Sequence, residues 1–422
     1  MKDIDILIFI EHVDRELKGA IEVKKILQSK TELDVKIFSL EFGFYDAWMQ
    51  YNPKLICLPY CKSEQNLVVR AFKTRNPNTV FLNLSYEQIL NKTTERYKAP
   101  RDEFARKELY YFAWGNLFKE YLIRYGVPEE KISVVGKPEI QFLKQMKMET
   151  GNELKGKLAK ELGLSMEKKW MFLPLNDGAA FRDVDLLKRR IAEGTAFKES
   201  LISHDYCFKQ IRVLLEWLFQ LYKDGNLDDY EIIWRPHPGV DISKYQEILD
   251  ELKIENFTNL HIIRNHTVKE WLCCSDICVT NWSTVLIDAA SIGLKAYVFE
   301  HEPLAPCLDA EWLRWFESIN TRETMKKILV SDETKNYEKE ERADVFFNTE
   351  ILPTEAWANS MVKVLGCYKE TNLVESFAMV KALKKEYRRL IRSKLRTLSR
   401  KTRIGKRYVN NKIEYDYFEP IL

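Results

Sequence analysis

No Cys-x-x-Cys pair occurs among the eight cysteines of this 422-residue chain. Cys57 and Cys61 are four apart, Cys273 and Cys274 are adjacent, and the rest are scattered, a spacing that reads against a structural zinc site. An export signal is also missing. The apolar start Met1–Ile10 is broken by Asp5 and runs into Glu11-His12 with no small-residue cleavage site, so it reads as a first β-strand. The cysteines are therefore expected to be reduced and mostly buried. No apolar run approaches the roughly 18 residues of a membrane span. There is no short-period repeat and no low-complexity segment. What remains is a globular composition, 45% hydrophobic and 31% charged, in a chain too long for one ordinary core. Two domains are the natural expectation.

The net charge of +3 conceals an asymmetry. Between Lys381 and Arg407 stand 13 basic residues and a single acid, Glu386. The rest of the chain sets 53 Lys and Arg against 62 Asp and Glu, a net of −9. Leu383, Tyr387, Leu390, Ile391, Leu395 and Leu398 recur within the basic segment at helical spacing. A basic amphipathic helix of this kind suits an anionic membrane surface. The alternatives are a helix packed on the acidic body or an RNA-binding tail.

Strand and helix alternate along most of the chain. Strands are expected at 5–10, 33–40, 55–59, 80–84, 110–114 and 132–135, and again at 170–175, 231–234, 260–263, 276–280 and 296–299. Amphipathic stretches at 17–27 and 67–72 and a helix at 116–125, ended by Gly126, lie between the first of them. This rhythm predicts parallel sheets covered on both faces. Glu149–Asn152 is the expected break, between helices at 142–148 and 154–162. The charged stretch 177–204 reads as an active-site loop or irregular insertion. The domains expected are 1–150, 151–370 and a basic tail, 371–422.

Two motifs carry the chemistry. Arg235-Pro236-His237-Pro238 follows one buried strand, and Asn281-Trp282-Ser283-Thr284 follows another, with a helix opening near Ser283 and reaching Asp288. Hydroxyls, an imidazole and a helix N-terminus suit a phosphate. Crevices beyond the carboxyl ends of parallel strands are where α/β folds bind ligands. The bland alternative is a histidine locked in a turn by flanking prolines and a serine that only caps a helix.

Arg-Pro-His-Pro followed by a Ser-Thr helix start and an acid four residues on resembles the pattern of CDP-glycerol glycerophosphotransferases. A His-Pro motif followed by Ser-Thr is also similar to bacterial GT-B sialyltransferases. The first half resembles the acceptor domain of surface carbohydrate biosynthesis enzymes through Glu11-His12, Arg15-Glu16, Asn83–Gln88, Ala113-Trp114-Gly115, Gly126–Ile132 and Val135–Pro138. The resemblance covers about residues 5–320. It implies a GT-B fold, two Rossmann-like doubly wound domains facing a central cleft. It also implies a metal-independent glycosyltransferase of bacterial surface polysaccharide biosynthesis. Such an enzyme moves a sugar or polyol phosphate from a CMP-, CDP- or UDP-linked donor to a glycan or lipid-linked acceptor. No cofactor and no nucleic acid partner are implied, and the location implied is cytoplasmic, peripheral on the inner face of the cell membrane through residues 381–407. Two features depart from the pattern. The sialyltransferases' paired-acid-then-glycine motif is missing from the first half, and Asn176-Asp177-Gly178 resembles it only loosely. The glycerophosphotransferase pattern also expects a histidine in the acceptor half, for which His12 is the candidate.

The resemblance assigns the donor phosphate to His237, Ser283 and Thr284, which would stabilise the charge that builds on the departing nucleotide. Arg235 is expected to add charge, Asp288 to accept a ribose hydroxyl, and Asp177 to face donor or acceptor. Transfer also needs a base for the acceptor hydroxyl. Glu87 is the first candidate, at a sheet edge amid Asn83, Ser85 and Gln88, and Glu11 is the second. His301 and Glu302 read as structural. The competing functions are a GT-B sugar-nucleotide epimerase and a non-catalytic scaffold of a polysaccharide assembly complex.

Overall fold

The structure is a computed structural model that describes residues 1–236, 240–330, 351–369, 395 and 416–422. The chain folds as two compact units. The first comprises Met1–Gln88, Tyr97–Gln141 and the described residues of Val345–Leu422; the second comprises Ile89–Arg96 and the described residues of Phe142–Asp344.

The first unit is built on a six-stranded sheet: β1 (Lys2–Ile10), β2 (Val35–Ser39), β3 (Tyr51–Leu58), β4 (Val80–Asn83), β5 (Tyr110–Ala113) and β6 (Ile132–Val134). The order is β2-β1-β3-β4-β5-β6, and every pairing is parallel. Burial on both faces explains why β1 reads as a run, Ile6 to Ile10 all being 0% exposed, and not as an alternation. The expected helix at 17–27 is Lys18–Lys30, entered through one π-helical turn, Val13–Leu17. The helix Asn116–Arg124 ends at Gly126, whose φ of +86° suits a residue without a Cβ.

The helix Pro353–Leu365 closes one face of this sheet, where the sequence had placed it with the second domain. The reason is its apolar face. Ala356, Trp357, Met361 and Val364 bury against Ile6, Leu82 and Phe112, and the Trp357 indole donates to the Gly136 carbonyl at 3.0 Å.

The second unit repeats the design with β7 (Lys169–Leu173), β8 (Tyr230–Trp234), β9 (Leu260–Ile262), β10 (Ile277–Thr280), β11 (Lys295–Phe299) and β12 (Glu317–Ile319). Its order, β12-β11-β10-β7-β8-β9, is again wholly parallel. Eleven of the twelve strands match the expected segments to within a few residues; β12 was not expected.

Two expectations about connecting segments are corrected. Pro138–Leu162 is a single helix running through 149–152. The Lys147 ammonium donates to the Cys273 carbonyl at 2.7 Å, a tertiary contact that helps offset the roughly 1 kcal/mol a mid-helix glycine costs. The stretch 177–204 is likewise ordered. It holds a 3-10 turn (Gly178–Phe181), a helix Val184–Ala192 capped by Asp183, and the start of the long helix Glu199–Lys223. Only Leu187 of the 184–192 helix is buried, and charged residues take up much of the rest of it.

Candidate functional site

In the second unit the ends of β7 and β10 are tied together by amides. The Asn281 side chain, 0% exposed, accepts from the Asn176 backbone N–H at 2.9 Å and donates to the Asn176 carbonyl at 3.3 Å. It also donates to Gln210 Oε1 at 2.8 Å, and Gln210 in turn donates to the Phe299 carbonyl at 3.0 Å. Three strand ends, of β7, β10 and β11, are thereby held by buried amides. The sequence reading named Asn281 as part of a motif without giving it this work.

Beyond these ends lie two adjoining cavities. One of about 410 Å³ is lined by Asn91, Asn176, Arg182, Ser203, Trp282 and Cys307 among others. The other, of about 220 Å³, adds Ser283, Thr284 and Trp312 and shares Asn91, Asn176 and Trp282. The half-buried Trp282 stands edge-on to Tyr206, 5.2 Å between ring centres. The Arg182 guanidinium is exposed at the larger cavity, and among the described residues it makes no hydrogen bond or ion pair. Nothing in the local sequence distinguished it from the other charges of 177–204.

The expected donor residues meet mixed fates. Ser283 and Thr284 line the smaller cavity. The helix beyond them, Val285–Ser291, starts later than expected: Thr284 is its N-cap, and Ser283 Oγ accepts from the Val285 N–H at 3.4 Å. It is two turns long, so its dipole is short and the hydroxyls are the stronger argument for an anion there. Asp288 is half-buried on this helix and lines neither cavity. Arg235 is turned to structural use, its guanidinium donating to the His266 carbonyl from Nη2 at 2.9 Å and from Nε at 3.3 Å. Asp177 is 0% exposed and accepts from the Tyr245 hydroxyl at 2.7 Å, so it faces the core and not an open site. His237 lies outside the described residues. His301 is buried against Tyr206 and Phe299, and burial pulls its pKa down.

In the first unit the carboxyl ends of β1, β3 and β4 surround a cavity of about 210 Å³, lined by Glu11, His12, Arg15, Tyr60, Asn83 and Glu87 among others. Glu16, in the π-helical turn, holds two of the lining residues, Glu11 and Arg15. Its fully buried carboxylate accepts from the Glu11 backbone N–H at 2.8 Å and pairs with Arg15 at 2.5 Å. π-helical turns recur at functional sites. Ser85 takes a left-handed conformation, φ +52°, with its N–H on Asn83 Oδ1 at 3.1 Å. Gln88 is a clamp, accepting from the Trp114 N–H at 2.7 Å and donating to the Phe112 carbonyl at 3.0 Å.

The two candidate bases differ. Burial raises the Glu87 carboxyl, but Lys98 at 2.5 Å and Arg15 at 3.2 Å outweigh it and hold the pKa below the ordinary value. Burial lifts Glu11 above the ordinary value, opposed only in part by His12 and Arg15. A raised carboxylate is the better proton acceptor near neutrality. His12 lies beside Glu11, with Nε2 4.0 Å from its Oε2, and its Nδ1 is 2.7 Å from Asp416 Oδ1. His12 is the histidine that the glycerophosphotransferase resemblance offered for the acceptor half; Asp416 was not picked out, because nothing near position 416 marks it.

No family model matches the sequence, and no curated protein matches it. Solved structures do. The chain is similar to the wall teichoic acid polymerase TagF at 14% identity and TM-score 0.54, over 86% of this chain and 89% of that one. A putative UDP-N-acetylglucosamine 2-epimerase from Listeria monocytogenes matches at 12% identity and TM-score 0.55, over 89% of this chain and 100% of that one. The UDP-GlcNAc 2-epimerase of Neisseria meningitidis bound to UDP-GlcNAc matches at 12% and 0.53, over 86% and 99%. The fold is GT-B. At these identities the likeness is one of fold, and the chemistry of this GT-B chain has to be argued from its own side chains. No helix among its described residues is long and apolar enough to cross a membrane.

Proposed function

We propose that this GT-B chain is a glycosyltransferase that moves a sugar or polyol phosphate from a nucleotide-activated donor to a surface polysaccharide or lipid-linked acceptor. The observation that carries the reading is the pair of adjoining cavities in the second unit. They offer Arg182, Ser283 and Thr284 to an anion and Trp282 to a flat ring, at the strand ends where α/β folds take nucleotides. Donors held in place there would stabilise charge building on the leaving nucleotide. His237 keeps the phosphate role that the Arg-Pro-His-Pro resemblance implies. Two kinds of solved structure support a nucleotide-linked substrate: TagF soaked with CDPG and an epimerase holding UDP-GlcNAc.

The acceptor hydroxyl is assigned to the cavity of the first unit, with Glu11 and His12 as the groups that take its proton and Glu87 as an ion-pair partner of Arg15 and Lys98. The basic segment 381–407 lies outside the described residues, save Leu395. We assign it to an anionic membrane surface, each basic residue near the surface contributing up to about 1 kcal/mol.

A thermal-shift screen of CMP, CDP and UDP conjugates tests the proposal, since a ligand that binds the native state raises the melting temperature. Stabilisation by one class, with transfer to a glycan acceptor lost in His237→Ala while the variant stays folded, is the expected result. The second reading, a sugar-nucleotide epimerase, draws on the epimerases that match over their whole length. It predicts conversion of free UDP-GlcNAc without any acceptor.

A further inference from the structure

The C-terminal residues return to the first sheet. Ile421 and Ile37 exchange both backbone hydrogen bonds, at 3.0 and 3.1 Å, so the chain end pairs antiparallel with the outer edge of β2. The Lys24 ammonium donates to the Ile421 carbonyl at 3.3 Å, Tyr417 stands edge-on to Phe42, and Phe418 and Ile421 pack against the core. At the head of this segment the Ser39 hydroxyl donates to the Asp416 carbonyl at 2.7 Å. These contacts leave the Asp416 side chain 6% exposed, with Oδ1 2.7 Å from His12 Nδ1 across 404 positions of sequence.

A buried carboxylate is costly unless paired and hydrogen-bonded. It only accepts, so a bond of this length places a proton on His12 Nδ1. In the neutral ring that leaves the Nε2 lone pair free, on the side of Glu11 and the cavity. His12 itself is 41% exposed and within reach of a ligand there.

We propose that Asp416, delivered by the segment 416–422, is a positioning residue that fixes the tautomer of His12 and aims its Nε2 lone pair into the acceptor cavity. The inference rests on the transferase reading for its purpose. As the acceptor oxygen bonds to the transferred carbon or phosphorus, its proton passes to Nε2. The bond from that atom to the nucleotide phosphate oxygen breaks, and the nucleotide leaves with the electron pair. The imidazolium so formed keeps its Nδ1–H on the Asp416 carboxylate and later gives the extra proton to solvent. The segment is thus more than a terminal strap, because removing it uncouples a histidine at the other end of the chain.

The test needs no substrate. Full-length protein labelled with 15N-histidine is examined by NMR for the protonation of each ring nitrogen, and His12→Gln identifies the His12 signals among six histidines. The wild type is expected to show the Nδ1–H form, and Asp416→Ala to shift the ring toward Nε2–H. An Nε2–H ring in the wild type overturns the proposal without any variant, as does a ring unmoved by Asp416→Ala. Asp416→Asn offers Nδ1 a donor as well as an acceptor and so no longer demands the Nδ1–H form; if the alanine variant unfolds, loss of the pure Nδ1–H signal in this one is the expected result. Turnover with the donor class found by thermal shift is expected to fall by about 10–100-fold in kcat, with the acceptor KM little changed and Asp416→Glu restoring part of the loss. If the tautomer behaves as expected but no donor is turned over, the transferase reading fails while the orientation of His12 by Asp416 stands.

Discussion

The Asn281 side-chain amide pairs with the main chain of Asn176, accepting from its N–H at 2.9 Å and donating to its carbonyl at 3.3 Å. The pair works like one more rung of the ladder between β7 and β10, placed where the backbones diverge to form the cavities. It depends on an amide, because only Asn or Gln offers a donor and an acceptor side by side.

Asn281→Leu is therefore expected to destabilise the protein by about 1–3 kcal/mol, since it strands the buried Gln210 Oε1 and removes both bonds to the Asn176 main chain. Urea denaturation checks this. Asn281→Asp keeps the acceptor and loses the donor, so its cost should be comparable or larger, with a carboxylate facing Gln210 Oε1.

Arg182→Ala should leave stability within about 0.5 kcal/mol of wild type, because the side chain is exposed and unpaired among the described residues. It should weaken binding of the nucleotide donor by roughly 10–100-fold, the loss of one or two charge-assisted hydrogen bonds. Calorimetric titration separates the two effects. A variant that binds like wild type would remove Arg182 from the site.

Glu11→Gln and Glu87→Gln should part company in turnover. The Glu11 carboxyl is raised by burial and stands beside His12, so its loss should cost at least about tenfold in kcat. Glu87 is half-exposed and held below the ordinary carboxylate range by Lys98 and Arg15, so its loss should change kcat by only a few-fold. Such an exposed ion pair also contributes under about 1 kcal/mol to stability.

Stability should depend on pH through Glu11 with a definite sign. Its pKa is raised in the folded state, so the folded protein binds the proton more tightly than the unfolded chain. The corresponding stabilisation is complete below the unfolded value near 4.5 and is lost as pH rises through the folded value. Glu11→Gln has no such loss. Denaturation of both proteins across this window should show the variant gaining on the wild type as pH increases; a constant gap would contradict it.

Local periodicity made most of the sheet architecture legible, because strands buried on both faces write themselves as apolar runs. β12 escaped because Glu317-Ser318-Ile319 is three residues long and begins with a charge. The segment Pro353–Leu365 was assigned to the second domain because its partners, Ile6 and Phe112 among them, lie far away in sequence. The site was legible as motifs but not as roles. No motif announced that Arg235 donates to the His266 carbonyl or that the buried Asp177 accepts from the Tyr245 hydroxyl. Asp416 gave no signal, since only the return of the chain end to β2 brings it to His12.

On the proposed function, the second unit's cavities hold the donor's phosphate against Ser283 and Thr284. Calorimetric titration of CDP-glycerol and UDP-GlcNAc into wild type and into a Ser283→Ala, Thr284→Val double variant tests it most directly. One of the two nucleotides binding the wild type, and binding the folded variant at least about tenfold more weakly, or about 1.4 kcal/mol, is the predicted result. Equal affinity for both proteins, or no binding of either nucleotide, would contradict it.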